Sequence, residues 1–224
     1  MTRQLVFELG HRSAHGRDDF LVAPSNELAV ALIDAWPAWP APTVALSGPQ
    51  GSGKTHLAEV WHQMSGAARF DASVLEGGDV PALVAHGKLI IEDIGALSDL
   101  AERTLFHLLN LVKEDQASML LTSRDAPAHL ATRLPDLASR LKALPHAALG
   151  VPDDALLAGV LVKFFDDRQL RVGEPLITYL ASRIERSIAI ARDTVEALDR
   201  ASLSGKRPIT VPLAAQVLDD LGHS

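Results

Sequence analysis

The octapeptide Gly48-Pro-Gln-Gly-Ser-Gly-Lys-Thr55 constrains this chain more than any other stretch. It fits the pattern G-x-x-x-x-G-K-[ST]. It also stands where that pattern has a mechanism, after an aliphatic run at 43–47 and at the opening of a helical period at 53–65. Closely spaced glycines let consecutive backbone N–H groups turn inward around a phosphate, and the helix N-terminus adds partial positive charge. Lys54 then reaches the β- and γ-phosphates, and Thr55 offers a hydroxyl to Mg²⁺. A chance match in a chain of 224 residues is expected about once in a hundred at ordinary glycine usage. Gly48, Pro49, Gln50, Gly51, Ser52, Gly53, Lys54, Thr55 and the following His56 are therefore the expected binding set for ADP or ATP.

A strand, a glycine turn and a helix also open a parallel sheet, and the rest of the chain continues that alternation. Short aliphatic runs at 69–71, 88–93 and 118–123 are separated by helical periods. In the helix expected at 98–115, Leu100, Leu105, Leu108, Leu109 and Val112 are placed on one face. Near residue 150 the alternation stops, and helical periods at 154–167, 175–184, 188–202 and 212–221 follow. The expectation is an α/β nucleotide-binding domain at 20–150, a smaller all-helical lid at 151–224, and an N-terminal peptide and tether at 1–19. Hydrophobic residues make up 47% of the chain and aromatic residues 4%, enough for a core of mainly aliphatic character. The absence of cysteine excludes disulfide scaffolds, thiolate metal sites and thiol catalysis. Net charge is −7, with −5 over residues 1–150 and −2 over 151–224, and no basic stripe runs along either part, so autonomous DNA binding is not expected. No apolar run reaches the length of a membrane helix, and a cytoplasmic, soluble protein is expected.

About 40 residues after the glycine turn, the run Leu-Ile-Ile at 89–91 ends in Glu92-Asp93. Beside a phosphate loop, one such carboxylate holds Mg²⁺ through its water shell and the next polarises an attacking water, which assigns Glu92 and Asp93 in that order. Acidic strand ends also serve as helix caps or solvated turns. The usual order is Asp then Glu, so the shorter carboxylate stands at the water-polarising place here and slow intrinsic hydrolysis is expected. The run at 118–123 ends in Thr122 and Ser123, whose hydroxyls either face the γ-phosphate or cap the strand. His56 and His62, six apart, do not form a metal set.

These elements in this order, followed by Leu134-Pro-Asp-Leu-Ala-Ser-Arg140-Leu and by Ala189-Ile-Ala-Arg192 in the helical part, resemble the AAA+ ATPases. Within them the chain is similar to the replication initiator DnaA and, more closely, to its shorter relatives of the Hda family. The resemblance implies that Arg140 is an arginine finger acting in trans on a neighbour's nucleotide, and that Arg192 touches the chain's own nucleotide. It also places Leu21 and Val22 near the adenine. Gln4-Leu-Val-Phe-Glu-Leu9 resembles the peptides that dock on the DNA polymerase III sliding clamp, with Gln4 as polar anchor and Leu5, Phe7 and Leu9 as apolar ones. The implied partners are DnaA and that clamp, with DNA engaged only indirectly because the chain ends soon after the lid. Monomer and homodimer are both left open. The implied function is stimulation of DnaA's ATP hydrolysis on the clamp, which represses re-initiation. A self-contained ATPase that remodels or loads a partner, and a DnaA-like scaffold without catalysis, stand as alternatives.

Overall fold

The computed structural model describes residues 21–205 and 207–222. The clamp-peptide residues Gln4, Leu5, Phe7 and Leu9 lie outside that range. The described residues form two compact units, one of residues 26–150 and one of residues 21–25 with 151–222.

The first unit runs α1 (Glu27–Asp34), β1 (Thr43–Ser47), α2 (Lys54–Ser65), β2 (Ala68–Asp71), α3 (Val80–Val84), β3 (Lys88–Glu92), α4 (Asp99–Glu114), β4 (Ser118–Ser123), α5 (Pro135–Lys142) and β5 (His146–Ala148). Its five strands form one sheet in the order β2-β3-β4-β1-β5, and every pairing is parallel. This is the parallel α/β fold expected from the sequence. Parallel strands are covered on both faces by the helices that connect them, which explains why β1 is buried along its whole length. Ala45, Leu89, Ile91, Met119 and Leu121 join one cluster with residues of α3, α4 and α5, while α1 and α2 serve the other face. On that second face Trp39 stacks on Trp61 at 4.7 Å, and Trp36 meets Trp61 edge-on at 6.2 Å. Trp39 Nε1–H donates to Leu32 O at 2.8 Å, tying the connection after α1 back to α1, while the stack on Trp61 sets it against α2.

The helical boundaries follow from capping. Ser98 accepts from the Ala101 N–H at the start of α4, and Lys113 sits in its last turn, where a cation suits the helix dipole. α2 ends at Gly66, whose φ of 71° turns the chain away as its N–H donates to His62 O at 2.7 Å. One expectation for α4 fails. Leu100 is 52% exposed, and the inward stripe is Ala101, Glu102, Thr104, Leu105, Leu108, Leu109 and Val112. At about 100° per residue Leu100 lies too far round the helix from the centre of that stripe to share it. β5, α1, α3 and α5 are further elements that the periodicity alone did not delimit.

The second unit packs α6 (Asp154–Asp167), α7 (Glu174–Ala181), α8 (Ile188–Gly205) and α9 (Val211–Asp220) around Leu157, Leu161, Phe165, Leu180, Val195, Leu198 and Ala214. Ala23 is buried in this cluster and Leu21 packs against it, so the segment before α1 belongs to the helical unit by its packing. No helix among the described residues is long and apolar enough to cross a membrane.

Leu105 and Leu100 separate burial from composition on one helix. Leu105→Ala is expected to lower the unfolding free energy by about 2–5 kcal/mol, and Leu100→Ala to change it by less than about 0.5 kcal/mol. Paired urea titrations of the two variants check this.

Candidate functional site

The glycine turn follows β1 and feeds directly into α2. Gly48, Gly51 and Gly53 have φ of 152°, 76° and 104°, values that side chains with a Cβ rarely adopt. Gly48 has a second reason to be glycine, since a Cβ there would stand 2.4 Å from Leu149 O and 2.9 Å from Ser52 Oγ. Leu149 is held at this place because its N–H donates to Ser47 O at 2.7 Å, continuing the β1–β5 pairing.

Lys54 opens α2 and is buried, at 7% exposure. Its Nζ donates to Gly48 O at 2.8 Å and Pro49 O at 2.9 Å, so the ammonium holds the loop closed on itself. Burial pushes its pKa below the ordinary lysine value, Asp93 partly restores it, and the positive charge of Arg124 lowers it further. Ser52 is also buried, and its Oγ has no hydrogen-bond partner among the described residues. A buried hydroxyl left without a partner inside a loop of inward-turning glycines fits a phosphate oxygen as its missing acceptor. Thr55 and His56, one and two residues further, are exposed at the first turn of α2.

β4 lies between β1 and β3, in register with β1 from Thr43↔Met119 to Ser47↔Ser123. Two consequences reach the loop. First, the Gly48 N–H donates to Arg124 O at 3.1 Å, and Arg124 Nη2 approaches Gln50 Oε1 at 3.4 Å. Arg124 thus stands as a second cation beside Lys54, a residue that sequence reasoning passed over. Its only signal there was a cation directly after a polar strand end. Second, Thr122 Oγ1 accepts from the Asp93 N–H at 3.0 Å, and Thr122 O accepts from the Ile94 N–H at 2.8 Å. Thr122 is 1% exposed, and its side chain holds the end of β3 in this structure.

Asp93 is exposed and takes a positive φ of 57°, which aspartate tolerates better than most residues. It lines a cavity of about 740 Å³ with Arg124, Glu76, Ser73 and His129. Glu92 is engaged differently, since its carboxylate accepts from Arg69 Nε at 3.1 Å and from Arg69 Nη2 at 2.5 Å. Arg69 also pairs with Glu59 on α2, and the link to Glu92 holds the guanidinium's pKa up. The carboxylate expected at the metal is therefore already neutralised by its neighbour on β2.

Arg140 lies on the exposed side of α5 with its guanidinium 5.1 Å above the Phe106 ring of α4, and among the described residues no carboxylate pairs with it. Leu137, one turn before it, and Leu141, the next residue, are buried in the core cluster, so Arg140 stands at the edge of the packed face of α5. In the helical unit, Arg192 projects from the exposed face of α8, opposite Ala191, Thr194, Val195 and Leu198, and lies 3.8 Å from Asp193. Leu21 and Val22 are half-buried in that same unit.

The crowding at Gly48 generates a direct test. Gly48→Ala is expected to lower the unfolding free energy of the chain by about 1–3 kcal/mol, where an alanine at an unstrained loop position costs nothing comparable. Thermal melting of this variant without any ligand measures it.

Comparison with known proteins adds the following. Residues 156–218 match the family model described as the lid domain of Hda. An uncharacterized protein of Haemophilus influenzae is 28% identical over 188 residues, covering 77% of this chain and 79% of that protein. The crystal structure of domain III of the replication initiation protein DnaA from Thermotoga maritima superposes with a TM-score of 0.77 at 18% identity, covering 91% of this chain and 95% of that one. AMPPCP-bound DnaA from Aquifex aeolicus gives a TM-score of 0.67 at 17% identity over 83% of this chain and 65% of its own. The Holliday junction branch migration motor RuvB of Thermotoga maritima gives 0.69 at 20% identity over 88% and 67%. Residues 156–218 thus carry a lid of the Hda type, and with the parallel sheet and glycine turn before it the chain has the fold of DnaA domain III.

Proposed function

We propose that this protein is a nucleotide-binding AAA+ regulator of DnaA which, held on the DNA-loaded sliding clamp through Gln4–Leu9, presents Arg140 to the ATP bound by DnaA and promotes its hydrolysis. The observation that carries the reading is the position of Arg140: exposed, supported from beneath by Phe106, and without a carboxylate partner among the described residues. A guanidinium held in this way is ready for a phosphate outside its own chain, and such a finger contributes on the order of 10³–10⁵ in rate.

The chain's own nucleotide is assigned a structural part. The buried Lys54, the unpartnered Ser52 hydroxyl and the adjacent Arg124 suit the phosphates of ADP or ATP, and Arg192, Leu21 and Val22 are its proposed contacts in the helical unit. Mg²⁺ accompanying the phosphates would be held by the Thr55 hydroxyl, with Glu92 acting through the water shell. Two features favour slow turnover over a self-contained ATPase. Glu92 is paired with Arg69, and the short Asp93 side chain stands where a longer carboxylate ordinarily polarises water.

The deciding experiment measures hydrolysis of DnaA-bound ATP with clamp, DNA and this protein present. Acceleration is expected with the native chain, with loss for Arg140→Ala and for the pair Gln4→Ala, Leu5→Ala. Clamp binding is expected to be lost only for the latter pair. Full acceleration by Arg140→Ala overturns the trans-acting role, and rapid ATP turnover by the chain alone favours the self-contained ATPase. A second outcome follows from Lys54. Phosphates favour its protonated form, and burial has lowered its pKa in the free protein, so nucleotide affinity is full below the depressed value and falls as pH rises through it. ADP at a hundredfold excess over Kd is expected to stabilise the fold by about 2.7 kcal/mol. That gain should shrink at alkaline pH below the ordinary lysine range, and the dependence should be absent in Lys54→Arg. Melting curves across pH, with and without ADP, check both.

A further inference from the structure

α4 carries a carboxylate where its pattern calls for a hydrocarbon. Glu102 sits on the inward stripe with Leu105 and Leu109, is 3% exposed, and forms no ion pair among the described residues. A buried carboxylate is costly unless donors satisfy it, and here the donors are backbone. Glu102 Oε1 accepts from the Arg133 N–H at 2.9 Å, and Oε2 accepts from the N–H groups of Arg133 at 3.0 Å and Leu134 at 2.9 Å. Leu134 is the N-cap of α5, and α5 has no side-chain cap of its own. Helix N-termini favour a negative charge, so one side chain of α4 both satisfies and electrostatically anchors the entry of α5.

The same two helices meet again at the other end of α5. Arg140 rests on Phe106, one turn after Glu102 on α4, whereas the pair of Arg133 Nη1 with Asp99 at 2.5 Å reinforces the anchored end. Arg140 lies roughly 9 Å along the helix axis from Leu134 at ordinary helical rise. A tilt of α5 at its anchored end therefore displaces the guanidinium by a comparable fraction of that length. Contributions from groups that must meet a transition state fall steeply with misplacement, to the order of a hundredfold for about 1 Å.

We propose that Glu102 is the positioning residue of the Arg140 finger: its buried carboxylate fixes the start of α5 so that the guanidinium is presented at one place. This rests on the trans-acting reading of Arg140 given above. Glu102→Gln keeps the size but turns an amide N–H₂ toward backbone donors, so at least one of the three bonds is lost. Stimulated hydrolysis of DnaA-bound ATP at saturating amounts of this protein is expected to fall roughly tenfold to a hundredfold. The amount of protein giving half the effect should stay unchanged. A loss of folded protein alone would do the opposite, raising that amount while leaving the saturated rate intact.

The test compares the native chain, Glu102→Gln, Arg140→Ala and the double variant in the complete reaction. Amide hydrogen exchange at Arg133 and Leu134 is followed alongside. Expected are faster exchange at those two amides in Glu102→Gln, unaltered exchange in α2, and a double variant no slower than Arg140→Ala alone. Native saturated rates in Glu102→Gln, losses that multiply in the double variant, or unchanged exchange at Arg133 and Leu134 would each overturn the proposal. If Arg140→Ala itself stimulates fully, the trans-acting reading falls and takes the proposal's function with it. The exchange data then show separately whether the anchor exists.

Discussion

The parallel pairing of β4 with β1 is the constraint on which the rest of the α/β unit depends. Five consecutive residues of each strand are in register, and the match ends at Ser47↔Ser123, directly before the glycine turn on one strand and before Arg124 on the other. Because both strands stop together, the Arg124 carbonyl can take the Gly48 N–H and the guanidinium can reach Gln50. On its other edge β4 carries β3, and Thr122 pins the backbone of Asp93 and Ile94. A slip of one residue would reverse the faces of every side chain on the strand. It would also separate the acidic strand end from the loop it serves.

Electrostatics around the loop are balanced in two separate groups. On Lys54 burial is the largest effect, Asp93 opposes it, and Arg124 adds to it. Arg69, Glu59 and Glu92 form a second group that links α2, β2 and β3. Glu92 and Asp93 are neighbours in sequence yet belong to different groups, because Glu92 is the last residue of β3 whereas Asp93, just beyond it, turns the chain with a φ of 57°. The pair is thus divided between holding the sheet edge to α2 and lining the cavity next to Arg124.

On the opposite face, α4 joins the core to the helix that carries Arg140. Its apolar stripe packs against β1, β3 and β4, while Glu102 and Phe106 hold the two ends of α5. Where hydrocarbon alone fills an interface, neighbouring packings differ little in energy. Three hydrogen bonds to one carboxylate admit a single geometry, and a buried polar group of this kind contributes specificity of position more than net stability.

Much of this architecture was legible in the amino-acid sequence, because it is written in local pattern. The glycine turn, its flanking strand and helix, the alternation up to residue 150 and the helical periods beyond it depend on spacings of two to four residues. Those spacings determine the parallel sheet and the helical lid. Leu100 was misassigned by the same local logic, since helical period alone does not say where the centre of the buried stripe falls. What only the tertiary structure decided are the partners of charged and polar groups. Glu92 meets Arg69 across 23 residues, Arg124 meets Gln50 across 74, and Glu102 meets Arg133 across 31. Nothing in the neighbourhood of any of these residues encodes the other member of the pair. The order in which parallel strands lie side by side brings them together, and that order is set by burial of the whole sheet.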